Sequence, residues 1–208
     1  MTAAILLAAG ESSRMGRPKA LLPWRGGTLI EYQVAELRAA GVDDVIAVLG
    51  HDAETLRAHV PPEARLVVNE AYREGRASSL RAGAAALPDA AGPVVVLGVD
   101  QPRPRELVRK LLDAHERSGA AVTLPVSDGR RGHPAVLSGS VLPELRRASE
   151  EAQGLRGVIA AHEGEIHEVH FMITVHESAP GMDLTALIVL TDINTAEDYE
   201  QALALFGR

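Results

Sequence analysis

Short apolar runs alternate with helix-length amphipathic stretches along most of this chain, and few folds accept that order. Residues 5–9 carry no charge, as expected of a strand covered on both faces of a sheet. Residues 28–40 place Leu29, Ile30, Val34 and Leu37 at helical intervals and stop at Gly41. Val45, Ile46, Val48 and Leu49 then read as a second strand, 53–59 as a short helix and 66–68 as a third strand. An alanine-rich helix is predicted over 75–87. Residues 93–99 are the most strand-like run in the chain, and 104–118 form an amphipathic helix ended by Gly119. Strand and helix in turn imply an α/β fold of three layers, α/β/α and Rossmann-like, with a mostly parallel central sheet. Ligands then belong at the carboxyl ends of the strands.

Bulk properties narrow the class of partner. With 46% hydrophobic residues in 208, the chain has enough apolar material for a core and fits a single domain, 1–208. A formal charge of −7 argues against nucleic acid or an anionic membrane as the main partner, because either needs a broad basic face. Cysteine is absent, which excludes disulfides, thiolate metal sites and cysteine nucleophiles. The start of the chain lacks a signal-peptide layout, and no apolar run approaches the roughly 18 residues of a membrane span, so a cytoplasmic location is expected.

The strand at 5–9 runs into a small, basic, glycine-punctuated loop. Gly10 and Gly16 free the backbone to curl around a ligand. Arg14, Arg17 and Lys19 put three positive charges within six residues. A triphosphate suits such a loop, since backbone N–H groups and fixed cations offset several negative charges together. The string L-A-A-G-x-S-x-R-M-G-x-P-K-x-L-L-P over residues 7–23 resembles the opening signature of the MobA-like nucleotidyltransferases. Among them it is most similar to the molybdenum cofactor cytidylyltransferases. The resemblance implies a GT-A-like nucleotidyltransferase fold and a nucleotide-binding set of Leu7, Ala8, Ala9, Gly10, Ser13, Arg14, Gly16 and Lys19.

The segment Gly98-Val99-Asp100-Gln101-Pro102 follows the run 94–97 directly, which puts Asp100 and Gln101 at the carboxyl end of the predicted central strand. A carboxylate there suits magnesium (Mg2+) bridging phosphate oxygens, although Asp-x-Pro also reads as a turn before the next helix. In the family a Gly-Asp-x-Pro motif stands here, and Val99 replaces its glycine. Near the carboxyl terminus, Thr195 and Asp198 form a capping box, which leaves Asp192 free. The resemblance gives Asp192 a share in metal binding, with Asn194 and Ala196 departing from the family ending.

Residues 69–83 resemble the family loop and helix beside the nucleotide base, which implies roles for Asn69, Ser78 and Ser79; ordinary helix capping is the competing account. Arg131, Gly132, His133 and Pro134 resemble the R-G-H-P segment associated with the second substrate. With Gln101 they form the expected acceptor site, where an arginine fork and a histidine ring nitrogen suit a phosphate. An exposed glycine-rich turn is the alternative.

Together these features imply nucleotidyl transfer to an acceptor phosphate, with Lys19, Arg14 and Asp100 catalytic and Mg2+ held by Asp100 and Asp192. CTP is favoured over GTP because Ala9 stands where guanylyl relatives carry glycine. The resemblance makes molybdopterin, as the molybdenum cofactor, the acceptor, and a molybdenum hydroxylase or its chaperone a further partner. Sugar-phosphate nucleotidyl transfer, oxidoreduction of a pigment by one branch of the family, a non-catalytic cofactor carrier and a degenerate nucleotide binder remain open. The resemblance falters over 163–190, which reads as a hairpin insertion near the acceptor site or an edge that pairs with another subunit. His167, His170 and His176 invite a zinc reading, but the spacing of the first two points them to opposite faces of a strand.

Overall fold

A central sheet carries the site, and its order follows from which strands the sequence can bury. The computed structural model describes residues 1–172, 174–175, 182–183 and 185–206. The strands are β1 (Ala3–Ala8), β2 (Pro23–Trp24), β3 (Gly27–Thr28), β4 (Asp44–Leu49), β5 (Ala64–Val68), β6 (Val94–Gly98), β7 (Val122–Ser127), β8 (Arg130–Arg131), β9 (Ala135–Leu137), β10 (Ile166–His170), β11 (Thr174–Val175) and β12 (Met182–Asp183). The helices are α1 (Leu29–Ala39), α2 (Ala53–Arg57), α3 (Arg76–Ala85), α4 (Arg105–Ser118), α5 (Leu142–Leu145), α6 (Leu155–Ala161), α7 (Thr185–Ile188) and α8 (Ala196–Phe206).

The sheet runs β10-β7-β9-β6-β1-β4-β5, with β8 paired to β7. Strand β1 is parallel to both β4 and β6, β4 to β5, and β10 to β7. Strand β9 is antiparallel to both β6 and β7, so the sheet is mostly parallel. The carboxyl ends of β1 and β6 therefore lie side by side, which brings the first loop next to Asp100.

Alternation along β1 divides the core in two. Ala4 and Leu6 pack with Ala47 of β4, Leu97 of β6, and α1, α4 and α8, whereas Ala3 and Ile5 pack with Ile46, Val96 and α3 on the other face. Each fully buried valine, leucine or isoleucine in these rows contributes about 1.5–3 kcal/mol. Helix α3 sits close to the sheet because Gly83 has no side chain: a Cβ there would lie 2.5 Å from Ile5 Cγ2 and 3.0 Å from Val48 Cγ2. Helix α1 begins with a capping box in which Thr28 N–H donates to Glu31 Oε2 at 2.6 Å and Glu31 N–H to Thr28 Oγ1 at 3.4 Å.

Within 163–190 the described strands pair in two ways. Ile166–His170 joins the main sheet as an edge strand, in register from Ile166 opposite Val122 to His170 opposite Val126. Antiparallel pairing occurs further on, between Thr174–Val175 and Met182–Asp183. His176 lies outside the described residues, as does the Pro180-Gly181 turn. Among the described residues, no helix is long and apolar enough to cross a membrane, and no group of three or more histidine, aspartate or glutamate side chains gathers as a metal site.

Candidate active site

The turn after β6 is shaped by its own side chains. Gln101 N–H donates to Gly98 O at 3.1 Å, and Gly98 N–H donates to Gln101 Oε1 at 2.8 Å. Asp100 folds back over Gly98 so closely that a Cβ there would lie 2.3 Å from Asp100 Oδ1. A side chain at residue 98 would therefore displace the Asp100 carboxylate, whereas Val99 is buried among core residues on the α1 side. From α1, the fully buried Gln33 supports the same turn: its amide donates to Gln101 O, and its oxygen accepts Arg103 N–H at 3.2 Å.

The first loop closes over this turn. Ser12, at φ 51°, accepts Lys19 N–H on its hydroxyl at 3.1 Å and Met15 N–H on its carbonyl at 2.8 Å. Lys19 Nζ reaches across to Asp100 Oδ2 at 2.9 Å and Asn194 Oδ1 at 3.0 Å. Arg17 stacks on Tyr199, 5.7 Å from the ring centre. Arg14 makes no hydrogen bond or ion pair among the described residues, and it lines the cleft.

Asp192 arrives from a distant part of the chain and is fixed by a buried cation. Ile193 N–H donates to Asp100 O at 2.9 Å, and Gln101 Nε2 donates to Asp192 Oδ1 at 3.1 Å. Arg103 is fully buried and donates to His133 O at 2.8 Å, Thr191 O at 2.8 Å and Val189 O at 3.1 Å, with Asp192 Oδ1 at 3.5 Å. Burial pulls the Arg103 guanidinium down to about 10, against the raising influence of Asp192 and Asp100, so it stays charged at neutral pH. Asp192 keeps a side chain 43% exposed toward solvent. The capping box behind it is complete: Asp198 N–H donates to Thr195 Oγ1 at 3.1 Å, and Asp198 Oδ2 accepts Thr195 N–H at 2.8 Å.

These groups line a cleft of about 810 Å³. Of the residues singled out in the sequence, Leu7, Ala8, Ala9, Gly10, Ser13, Arg14, Lys19, Ser79, Asp100, Gln101, His133 and Asp192 line it. Asn69 and Ser78 stand behind the wall. Asn69 Nδ2 donates to Ser78 Oγ at 2.8 Å and Ser79 Oγ at 3.0 Å, and Ser78 donates to Gly75 O at 2.8 Å, so both are spent on shaping the loop before α3. Gly16, Gly132 and Pro134 are also outside the lining.

Arg131 is placed away from the cleft. Its guanidinium is engaged by Glu163 at 2.7 and 2.8 Å and by Glu168 at 2.7 Å, because β8 puts it beside the β10 edge. His133 does reach the cleft. Burial, followed by the charge of Arg103, holds its pKa below the ordinary histidine value, so the ring is neutral near pH 7, and its Nδ1 is buried without a hydrogen-bond partner among the described residues.

Sequence reasoning missed Ser12, Gln33, Arg76, Arg103, Arg156 and Asn194. Ser12 stands inside the quoted loop signature, and Arg103 directly follows Asp100-Gln101-Pro102, so a charged residue beside a site turn was the available signal. Nothing local marks Gln33, Arg76 or Arg156.

The model of the MobA-like NTP transferase domain matches residues 4–166. Nicotine blue oxidoreductase of Paenarthrobacter nicotinovorans is 38% identical over 161 residues, covering 73% of this chain and 78% of that protein. The 2-C-methyl-D-erythritol 4-phosphate cytidylyltransferase of Thermus thermophilus is 36% identical over 168 residues, covering 78% of this chain and 72% of that one. Among solved structures, Rv0371c of Mycobacterium tuberculosis is similar with a TM-score of 0.79 and 27% identity, covering 98% of this chain and 97% of the other. A manganese complex of Rv0371c has a TM-score of 0.73 at 24% identity, with the same coverage.

Proposed function

Because the chain belongs to the MobA-like NTP transferase domain family, we propose that it transfers CMP from CTP to the terminal phosphate of molybdopterin, as the molybdenum cofactor, and releases pyrophosphate. The observation that carries this reading is the meeting of Lys19 and Asp100 with the Asp192 segment in one cleft, beneath a loop whose Arg14 has no protein partner among the described residues.

The donor set fits a divalent cation of the magnesium type. Asp100 and Asp192 offer two carboxylates, and Mg2+ characteristically takes one or two from the protein and completes its shell with water and substrate phosphates. A manganese complex of a similar fold supports a divalent metal in general. Held by these carboxylates, such an ion would offset charge on the phosphate oxygens. The chain's own residues supply the rest. Lys19 is positioned to exchange Asp100 for an anionic phosphate, and Arg14 adds a second cation. The acceptor phosphate needs no general base, since its second pKa near 6 leaves it largely dianionic at neutral pH. Neutral His133 then offers the acceptor a ring nitrogen instead of a second positive charge.

CTP is supported by the Ala9 methyl in the cleft wall and by the likeness to a cytidylyltransferase. The product would pass to a molybdenum hydroxylase or its chaperone in the cytoplasm. In this reading the described end of the 163–190 stretch flanks the acceptor end, where Val189 O meets Arg103.

The test is pyrophosphate release with Mg2+ and molybdenum-loaded molybdopterin, comparing CTP, GTP, ATP and UTP, with Asp100→Asn as control. Release with CTP that falls about a hundredfold or more in the variant is expected. Binding without turnover would overturn transfer in favour of a carrier. The identity with nicotine blue oxidoreductase favours a second reading, oxidoreduction of a pigment, which a protein-dependent change in nicotine blue colour on addition of a reductant would support.

A further inference from the structure

We propose that the end of the cleft where α3 and α6 begin is an anion subsite, built on Arg76 and Arg156, that takes the phosphate monoester of the acceptor. The proposal rests on the nucleotidyl-transfer reading for the acceptor's identity, whereas the anion site itself stands on geometry. The two helix starts abut: a Cβ on Gly154 would lie 3.6 Å from Ala77 Cβ. Arg76 opens α3, Arg156 is the second residue of α6, and both line the cleft that holds Asp100 and Asp192.

Neither guanidinium has a hydrogen-bond or ion-pair partner among the described residues. Other arginines that face the protein interior or its edges, Arg65, Arg103, Arg105 and Arg146, are spent on protein oxygens, whereas Arg76, Arg156 and Arg14 line the cleft with their guanidinia unspent among the described residues. Glu150 also lines this end of the cleft; its Oε1 accepts Ala77 N–H at the start of α3, and it forms no ion pair with either arginine among the described residues. Arg76 is also close enough to His133 for its charge to oppose an imidazolium there. Two unspent forks facing the cleft match the oxygens of a phosphate monoester. Arg131 is already paired with Glu163 and Glu168. Both Arg76 and Arg156 are exposed, so replacing either leaves the core intact.

The phosphate bound here could belong to the acceptor or to the donor triphosphate, and the experiment separates them. Inorganic phosphate is titrated calorimetrically into the protein with and without saturating CTP and Mg2+, for the wild type and for Arg76→Gln, Arg156→Gln, Arg131→Gln and Arg14→Gln; CTP affinity is measured for each. Expected is phosphate binding to the CTP-loaded protein that weakens about tenfold or more in Arg76→Gln and Arg156→Gln, with CTP affinity unchanged and Arg131→Gln like the wild type. The proposal is overturned if the wild type binds no phosphate, if Arg131→Gln alone weakens it, or if Arg76→Gln and Arg156→Gln weaken CTP as Arg14→Gln does, which would assign both arginines to the donor. Failure of CTP to bind the wild type would instead sink the transferase reading, and the nucleotide-free titration would still decide the anion site.

Discussion

The two ends of the cleft are built on opposite plans. At the β1 end, one contiguous stretch from Leu7 to Lys19 provides most of the wall and closes on itself through Ser12. At the other end, Arg103 joins the turn after β6 to residues 133, 189 and 191, none of them near it in sequence. A contiguous loop can lose one bond and still be held by its neighbours. An assembled end depends on the buried group that joins its parts, because removing that group leaves several carbonyls without donors in a dry interior.

The sharpest way to break this comparison is Arg103→Met. It removes the shared donor from His133, Val189 and Thr191, and unfolding by urea is expected to show a loss of about 3 kcal/mol or more. If stability falls no further than for a loop variant, the contrast between the two ends is wrong. Gly83→Ala comes next. The added methyl meets Ile5 and Val48, and overpacking of this kind costs about 1–3 kcal/mol even though alanine favours a helix. Thermal unfolding should therefore shift downward, and a gain in stability would mean that α3 can back away from the sheet.

A smaller effect is expected from Ser12→Ala, which deletes the acceptor of Lys19 N–H and should cost about 1 kcal/mol. Its readout is CTP affinity measured beside chemical denaturation: the loop should bind more weakly while the global transition barely moves. The smallest effect is pH-dependent. His162, near the end of α6, bonds Glu144 of α5 at 3.0 Å, and that bond, reinforced by Glu165, raises its pKa above the ordinary value despite opposing desolvation. A raised folded pKa means that the protonated ring stabilises the fold fully below the unfolded value of about 6.5, and that this contribution disappears as pH climbs through the folded value. The stability gap between wild type and His162→Gln should accordingly be widest in mild acid and close in alkali. A gap independent of pH would assign the contact to packing.

Most of the fold was legible because local patterns and packing agree. The run 93–99 became β6, and the helix predicted over 104–118 became α4 with Gly119 in the left-handed region at φ 64°. The helix over 28–40 acquired Thr28 as its cap. Where local pattern is silent, pairing partners decided the outcome. Ile166–His170 alternates like half of a hairpin, yet it pairs in parallel with β7, a choice set by the free edge that β7 presents and by no residue within 166–170. Strand β9 is a comparable case, since three apolar residues cannot declare that they will run antiparallel between β6 and β7.

The site divides along the same line. Lys19, Asp100 and the first-loop residues named from the sequence line one cleft, because a loop at a strand end presents consecutive residues to the same space. The same reasoning aimed Arg131 at a phosphate, and the structure instead spends it on Glu163 and Glu168; charge on a strand edge is claimed by whatever strand lies alongside.

What the sequence determined by itself is thus a parallel, two-faced sheet and a cationic loop at the end of its first strand, both written in short-range periodicity. Only the tertiary structure decided that Asp192 stands beside Gln101, that Arg103 is buried among carbonyls from three segments, and that Arg76 and Arg156 are left without partners in the cleft. Those outcomes depend on contacts between residues 30 to 91 positions apart or on neighbouring helix starts. Their energies come from desolvation and from the pairing of groups that no local window holds together.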